Sequence, residues 1–145
     1  MAKTSDWEWR IDSEPVQVKN VVREILGRLD EKLPHQTHED RCDLRLILSE
    51  LLINAVIHGN ASDTSKQVHI RISVEGADVR AWITDEGSGF NYRSAMDSCC
   101  GDGGLYHETG RGMQLVMVLA DVVSFDSRGS CVSFVKRIGA VKGNG

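Results

Sequence analysis

Three polar side chains, Glu50, Asn54 and His58, follow one another at intervals of four residues in a mainly apolar part of the chain. Ten of the fourteen residues 44–57 are apolar. At about 3.6 residues per turn, positions four apart drift slowly around one helix face, and Asp43 lies close to the same line. Buried polar groups are costly without partners, so the stripe indicates a wet cleft or a bound ligand. An amphipathic helix with a solvated polar face is the alternative that this stretch leaves open.

A second group of residues, DEGSGF, occupies positions 85–90 at the end of a predicted strand. Asp85 offers an acceptor at the strand terminus. Gly87 and Gly89 allow the backbone to turn sharply and to approach a ligand closely. Taken alone, D-x-G-x-G is equally typical of an ordinary turn.

A third group, GRGMQL, occupies residues 110–115 and opens a predicted helix. Glycines at a helix start leave backbone N–H groups directed at whatever lies there, and the helix dipole favours negative charge at this end. The segment is not a P-loop, because no G-x-x-x-x-G-K-[ST] pattern is present. It predicts an anion site, although a single G-x-G is weak by itself.

In this order, the three groups resemble the nucleotide site of the GHKL superfamily, which includes gyrase, histidine kinases and mismatch-repair ATPases. Glu50-x-x-x-Asn54 resembles the N-box, Asp85-x-Gly87-x-Gly89 the first glycine box, and Gly110-x-Gly112 the second. Within the superfamily, ELLINAVIHGN is most similar to the anti-sigma-factor serine kinases, which often read S-E-x-x-x-N-A-x-x-H. The matching residues here are Ser49, Glu50, Asn54, Ala55 and His58.

The resemblance implies roles for the matched residues. Asp85 would accept a hydrogen bond from the adenine amino group, and Asn54 would coordinate Mg²⁺. Glu50 would be the general base toward a substrate serine, or else would bind magnesium through water or serve structure alone. His58 would shape the phosphate end of the site, unless it is a structural residue at the helix end. The other expected nucleotide-binding residues are Gly87, Gly89, Phe90, Gly110, Arg111, Gly112 and Met113, with the N–H groups of 110–113 around the phosphates.

Residues 91–109 would form the ATP lid, and here the chain departs from the family pattern. Members often carry an arginine just before the S-G-x-G at the end of the lid. In this sequence Glu108 stands at that position, and Arg111 inside the glycine box is the cation expected to face the phosphates from another direction. The departure bears on the partner contact and on the kinase rate.

The implied function is that of an anti-sigma factor and ATP-dependent serine kinase, which phosphorylates a STAS-type anti-anti-sigma protein and sequesters a sigma factor. The implied ligands are ATP or ADP with Mg²⁺, and the family usually works as a homodimer. One alternative is a nucleotide-binding partner switch with little or no kinase activity. Another is a kinase or ATPase that acts on a different target. Glu50 favours the first function, and the altered lid end leaves the partner switch open.

Hydrophobic periodicity predicts the elements that must position these residues. We expect strands at about 7–11, 68–74, 79–83, 122–126 and 131–138, and helices at about 14–33, 37–58 and 112–121. Six apolar residues at helical spacing mark the first helix: Val18, Val21, Val22, Ile25, Leu26 and Leu29. Thr37 would cap the second helix, and Gly59-Asn60 would end it. This order predicts an α+β fold, a two-layer α/β sandwich. Its mixed, mostly antiparallel sheet would be covered on one face by helices, as in the Bergerat ATP-binding fold of the resembling family. We expect one domain over 1–145, with a core at about 7–138 and a mobile tail at 139–145.

The composition is that of an ordinary globular chain of 145 residues, 41% hydrophobic and 26% charged. A net charge of −4 argues against direct nucleic-acid binding, which usually needs a basic face. No apolar run reaches the ~18 residues of a membrane span, and the first residues do not resemble a signal peptide. We therefore expect a cytoplasmic protein whose four cysteines are free thiols.

Overall fold

A computed structural model describes residues 4–87, 107–127 and 130–139, with the backbone alone for 107–111. The five strands are β1 (Thr4–Asp12), β2 (Gln67–Glu75), β3 (Asp78–Thr84), β4 (Val122–Phe125) and β5 (Cys131–Arg137). The α-helices are α1 (Pro15–Lys32), α2 (His38–Ile53) and α3 (His107–Leu119), and a π-helical segment, Asn54–Gly59, continues α2 without a break. None of the described helices is long and apolar enough to cross a membrane. The predicted lid up to residue 106 and the tail from residue 140 lie outside the described residues.

The sheet has the strand order β1-β2-β3-β5-β4. All four pairings of the described strands are antiparallel, so the predicted antiparallel character is confirmed and the predicted mixed character is not found among them. The reason is that β2–β3 and β4–β5 are hairpins, while α1 and α2 return the chain so that β1 pairs with β2 in the opposite direction. Gly76 at the β2–β3 turn has φ +61°, a conformation that suits glycine.

The helices lie on one face of the sheet and form the core with its inward-facing residues. In α1, the six apolar residues predicted from helical spacing are all buried: Val18, Val21, Val22, Ile25, Leu26 and Leu29. α2 packs against both α1 and α3. Its apolar residues between Leu44 and Leu52 are almost all fully buried, with Leu46 the exception. α2 is therefore the central helix of the layer, which explains why it is apolar nearly all round.

A capping box begins α2, as Thr37 predicts. The Asp40 N–H donates to Thr37 Oγ1 at 3.0 Å, and the Thr37 N–H donates to the Asp40 carboxylate at 3.3 Å. Such reciprocal bonds satisfy two of the N–H groups that a helix start leaves without partners. Asp40 also accepts a bond from the Gly139 N–H at 3.0 Å, which ties the start of α2 to the chain just beyond β5.

A buried ion pair joins the two layers. Lys136 of β5 is fully buried, and its Nζ donates to Asp43 Oδ2 of α2 at 3.2 Å. The same ammonium donates to the Leu119 carbonyl at the end of α3, at 2.8 Å. One lysine thus connects a strand, the central helix and the last turn of α3.

Two helix boundaries differ from the prediction in an informative way. The second helix reaches its expected end near His58, but its last part is π-helical: the Asn60 N–H donates to the carbonyl of Ala55, five residues back, at 2.8 Å. The third helix begins at His107, whereas the glycines predicted a start near Gly112. Glycine lowers helix propensity by about 1 kcal/mol, and packing of α3 against α2 outweighs that cost.

Candidate functional site

Glu50 lies half-buried on α2 at the face that meets α3. A Cβ added to Gly112 would overlap the Glu50 carboxylate, so the two predicted motifs are in contact and a side chain at 112 would displace that carboxylate. Burial raises the pKa of Glu50 above its ordinary 4.5, because the carboxylate is partly removed from water. A raised pKa brings a carboxylate nearer to the range in which a general base works at neutral pH.

Asn54 lies one turn further along, at the first position of the π-helical segment. Its side chain is buried, with 2% of its surface exposed. Among the described residues, its Nδ2 has no hydrogen-bond partner. Buried polar atoms are nearly always paired, so this amide has an unmet bond that a ligand would satisfy.

Asp85 directly follows β3 and is buried. Its N–H donates to the Ser130 carbonyl at 2.9 Å, and its Oδ1 accepts from the Gly87 N–H at 2.9 Å. Its Oδ2 is buried without a partner among the described residues. Burial raises the pKa of Asp85, and Asp126 raises it further, although the bond from Gly87 acts in the opposite direction. One carboxylate oxygen is therefore held in place and the other is left to accept a donor.

Close backbone packing brings Asp85 against the end of the π-helical segment. A Cβ at Gly59 would overlap the Asp85 carboxylate, and a Cβ at Gly87 would overlap the Gly59 carbonyl. Glycine is needed at both positions because of space, not because of a special φ value. Gly87 was predicted as a site residue, whereas Gly59 was assigned only to the helix end.

Asn60 is a site residue that sequence reasoning missed. It is fully buried, and its Nδ2 donates to Ser13 Oγ at 2.9 Å and to the Gln67 carbonyl at 3.1 Å. Its Oδ1 accepts from the Glu86 N–H at 2.8 Å, next to Asp85. One amide thus holds the glycine-box turn against the start of α1 and the start of β2. In the sequence, its position after Gly59 indicates only the end of a helix. Its three hydrogen-bond partners lie in other parts of the chain, so no local sequence pattern identifies them.

Ser130, at the turn before β5, supports the same carboxylate from the other side. Its carbonyl accepts the Asp85 N–H, and its own N–H and hydroxyl donate to Asp126 at 2.9 Å and 3.1 Å. The β4–β5 turn is therefore fixed by Asp126 and in turn fixes the backbone of Asp85.

The other predicted site residues lie on the π-helical segment, on α3 or outside the described residues. His58 is half-buried in the π-helical segment, and burial lowers its pKa, which favours the neutral imidazole at pH 7. Gly110, Arg111 and Gly112 lie within α3, whose N–H groups without intrahelical partners belong to residues 107–110. Met113 is fully buried in the core. The free N–H groups at the start of α3 therefore lie on the N-terminal side of residues 110–113, whose predicted contact with the phosphates stays a prediction. Gly89 and Phe90 lie outside the described residues.

The described part of the site fits a nucleotide with magnesium. Of the four buried side-chain atoms that lack a hydrogen-bond partner among the described residues, two, Asn54 Nδ2 and Asp85 Oδ2, belong to the residues expected to meet the ligand. Turning the Asn54 amide by half a turn brings Oδ1, an oxygen suited to Mg²⁺, to the same place. Glu50 and Gly59, at the two ends of this stretch, are separated by roughly 13 Å along the helix, which an extended nucleoside triphosphate can span.

The fold and the site define an ATPase domain of a known class. Residues 11–136 match the family described as "Histidine kinase-like ATPase domain", and the chain belongs to this family. The predicted superfamily is thereby confirmed.

Two relatives of the chain are anti-sigma F factors. The chain is 30% identical over 104 residues to an anti-sigma F factor of Bacillus thuringiensis (strain Al Hakam). The aligned residues cover 69% of this chain and 71% of that protein. It is 27% identical over 106 residues to an anti-sigma F factor of Anoxybacillus flavithermus (strain DSM 21510 / WK1), covering 70% and 73%. The predicted resemblance to anti-sigma factors is therefore confirmed.

A solved structure shows the same fold. The crystal structure of the RsbU and RsbW domains of Rv1364c from Mycobacterium tuberculosis superposes with a TM-score of 0.57 at 19% identity. The match covers 92% of this chain and 32% of that longer one. At this identity the likeness concerns the fold alone.

Proposed function

We propose that the chain is an anti-sigma factor and an ATP-dependent protein-serine kinase. It would phosphorylate a STAS-type anti-anti-sigma protein and hold a sigma factor when that partner is phosphorylated. The observation that carries the proposal is the placement of the half-buried Glu50 carboxylate against Gly112 of the second glycine box. A carboxylate of raised pKa at the phosphate end suits a general base. The similarity to anti-sigma F factors supports the sigma-factor part.

Adenine recognition would fall to Asp85. Its Oδ2 is buried without a partner, whereas its Oδ1 and backbone N–H are fixed by Gly87 and Ser130. An exocyclic amino group is a donor that this oxygen can accept. Leaving a buried acceptor unsatisfied costs about 1–3 kcal/mol, so filling this place contributes to affinity and to selectivity for a base with an amino group.

The phosphate end would lie between Asn54 and the start of α3. Asn54 would offer Oδ1 to magnesium, which takes few protein ligands and keeps several waters. When bound, the metal neutralises charge on the phosphates. The N–H groups at the start of α3 would add the positive end of the helix dipole.

Glu50 would accept the proton of the substrate serine hydroxyl while the γ-phosphate is transferred. The raised pKa supports this role, because a base that is more basic than an ordinary carboxylate takes up the proton more readily. His58, two turns further along the helix, would be neutral and would add no positive charge to the site. By family resemblance we also expect the chain to act as a homodimer.

A phosphotransfer assay tests this proposal. The protein is mixed with Mg-ATP and with purified STAS-domain candidates, and serine phosphorylation is read by mass spectrometry. Transfer to one candidate, together with retention of a sigma factor when that candidate is phosphorylated, is the expected result. Tight ATP binding without transfer to any candidate would instead favour a nucleotide-dependent partner switch.

Replacing Asp85 by Asn is expected to weaken ATP binding by about 10- to 100-fold. The asparagine keeps Oδ1 as acceptor for the Gly87 N–H, but it presents an NH₂ group where the adenine amino group needs an acceptor. The variant therefore loses the hydrogen bond from adenine, and a hydrogen bond to a charged group contributes about 1.5–3 kcal/mol. Isothermal titration calorimetry with ATP measures the change.

The folded apo protein should not lose stability in this variant. A raised pKa in the folded state means that ionised Asp85 costs stability at pH values above that pKa, and the neutral amide removes the cost. The control is Glu75→Gln, which removes the same single negative charge at the exposed end of β2. This variant should leave ATP affinity unchanged. Equal ATP affinity in Asp85→Asn and the unmodified protein would contradict the adenine assignment.

A further inference from the structure

A basic groove runs between α1 and α2, on the helix layer and apart from the Asp85 turn. It has a volume of about 390 Å³ and is lined by Lys19, Val22, Arg23, Leu26, Arg41, Arg45 and Ser49. Val22 and Leu26 are buried at its base, and four cationic side chains stand along its two helical walls. Such a concentration of one charge in a chain of net charge −4 makes the groove a distinct surface.

Three of the four cations have no carboxylate partner among the described residues. Arg41 pairs with Asp30 at 3.0 Å. In the part of the chain that the structure describes, Lys19, Arg23 and Arg45 form no ion pair with a carboxylate. These three side chains stand exposed on two facing helices. Folding brings these three like charges together, which favours an anionic partner.

We propose that this basic groove binds an acidic segment of a partner protein. The cations line both walls of a concave surface, so a single extended or helical segment can contact them from two sides. A flat bilayer could not reach both walls at once, and a long nucleic acid would also meet the net negative charge of the rest of the chain. Ser49, which is among the lining residues, directly precedes Glu50, so the groove and the proposed phosphotransfer site share one stretch of α2.

The groove goes beyond the proposed kinase function and does not depend on it. Its electrostatic recognition needs neither nucleotide nor Glu50. Binding should therefore persist in Asp85→Asn, where nucleotide affinity is expected to fall. Loss of kinase activity and loss of groove binding can thus be measured separately.

A peptide-binding experiment on the full chain tests the groove. The probe is a short fluorescein-labelled peptide of repeated Glu-Glu-Leu units, followed by fluorescence anisotropy, with the Gln-Gln-Leu peptide as its uncharged counterpart. The double charge reversal Arg23→Glu with Arg45→Glu should weaken binding of the acidic peptide about tenfold or more, and added salt should shrink the difference. Binding of oligo-dT and of phosphatidylglycerol vesicles is measured in the same way, as a comparison with two other kinds of anion.

The matched control reverses two exposed arginines on the opposite face of the sheet, Arg10→Glu with Arg80→Glu. It changes the net charge equally and should leave peptide affinity nearly unchanged. Circular dichroism and thermal unfolding establish that both double variants fold. The proposal is overturned if both double variants lose affinity equally, if the unmodified chain does not bind the acidic peptide at low salt, or if oligo-dT or vesicles bind more tightly than the peptide.

Discussion

Glu50→Gln is expected to slow phosphate transfer to a partner serine by about 10²- to 10⁴-fold, the contribution typical of a general base. Glutamine has nearly the same shape and keeps the packing against Gly112, but it cannot accept the proton. ATP affinity should be little changed, because adenine and magnesium are assigned to other residues. Single-turnover transfer with saturating ATP measures the chemical step.

The same residue predicts the pH dependence of the reaction. The base works only when ionised, so transfer by the unmodified protein should decline as pH falls through the raised pKa, at a pH above the ordinary 4.5. In Glu50→Gln this acidic limb should disappear. Glutamine also removes the cost of keeping a half-buried carboxylate ionised, so the variant should be at least as stable at neutral pH.

Glu39→Gln is the control for this experiment, since it removes the same charge from the exposed first turn of the same helix. Its transfer rate should remain close to that of the unmodified protein. Glu50→Gln with full activity, or an unchanged acidic limb, would refute the general-base role while leaving nucleotide binding intact.

Lys136→Met is expected to destabilise the protein by about 3–5 kcal/mol, a large part of the stability of a typical domain. The substitution removes the buried ammonium that donates to the Asp43 carboxylate and to the Leu119 carbonyl. Urea unfolding followed by tryptophan fluorescence measures the loss as a lower midpoint at a similar slope.

A double variant separates the ion pair from simple packing. Adding Asp43→Leu to Lys136→Met removes both charges, and much of the lost stability should return because neither charge is left alone. Arg137→Met is the neighbouring control: its ion pair with Asp78 is exposed, so little change is expected. If the double variant loses the full sum of the two single effects, the pair is not coupled in the way that the structure indicates.

Elements with strong local signals were predictable from the sequence. Alternation of apolar residues identified β2 and β3, and the spacing from Val18 to Leu29 identified α1 and its buried face. Thr37 identified the start of α2 because capping is determined by neighbouring residues. The resemblance of three short motifs then brought Glu50, Asn54 and Asp85 into one candidate site.

What the sequence did not reveal depends on contacts between distant residues. Alternation places Lys136 on the same face of β5 as Val132 and Phe134, but nothing local identifies its partner Asp43, which lies 93 residues away. Asn60 has partners in three separate parts of the chain, so no local pattern distinguishes it from a helix-ending residue. The early start of α3 is likewise a packing effect that opposes the propensity of its two glycines.

The π-helical segment restricts how this part of the chain can change in length. A stretch with i→i+5 bonds holds one residue that an α-helix of the same path would not need. Deleting a single residue such as Val56 would restore ordinary helical bonding along the same path, whereas adding a residue would turn everything that follows by about 100° relative to α2. After such an insertion Gly59 and Asn60 would leave Asp85 and Glu86, whereas another apolar side chain at position 56 keeps them in place. Between Asn54 and Asn60, we expect selection to exclude the gain of a residue more strictly than the loss of one.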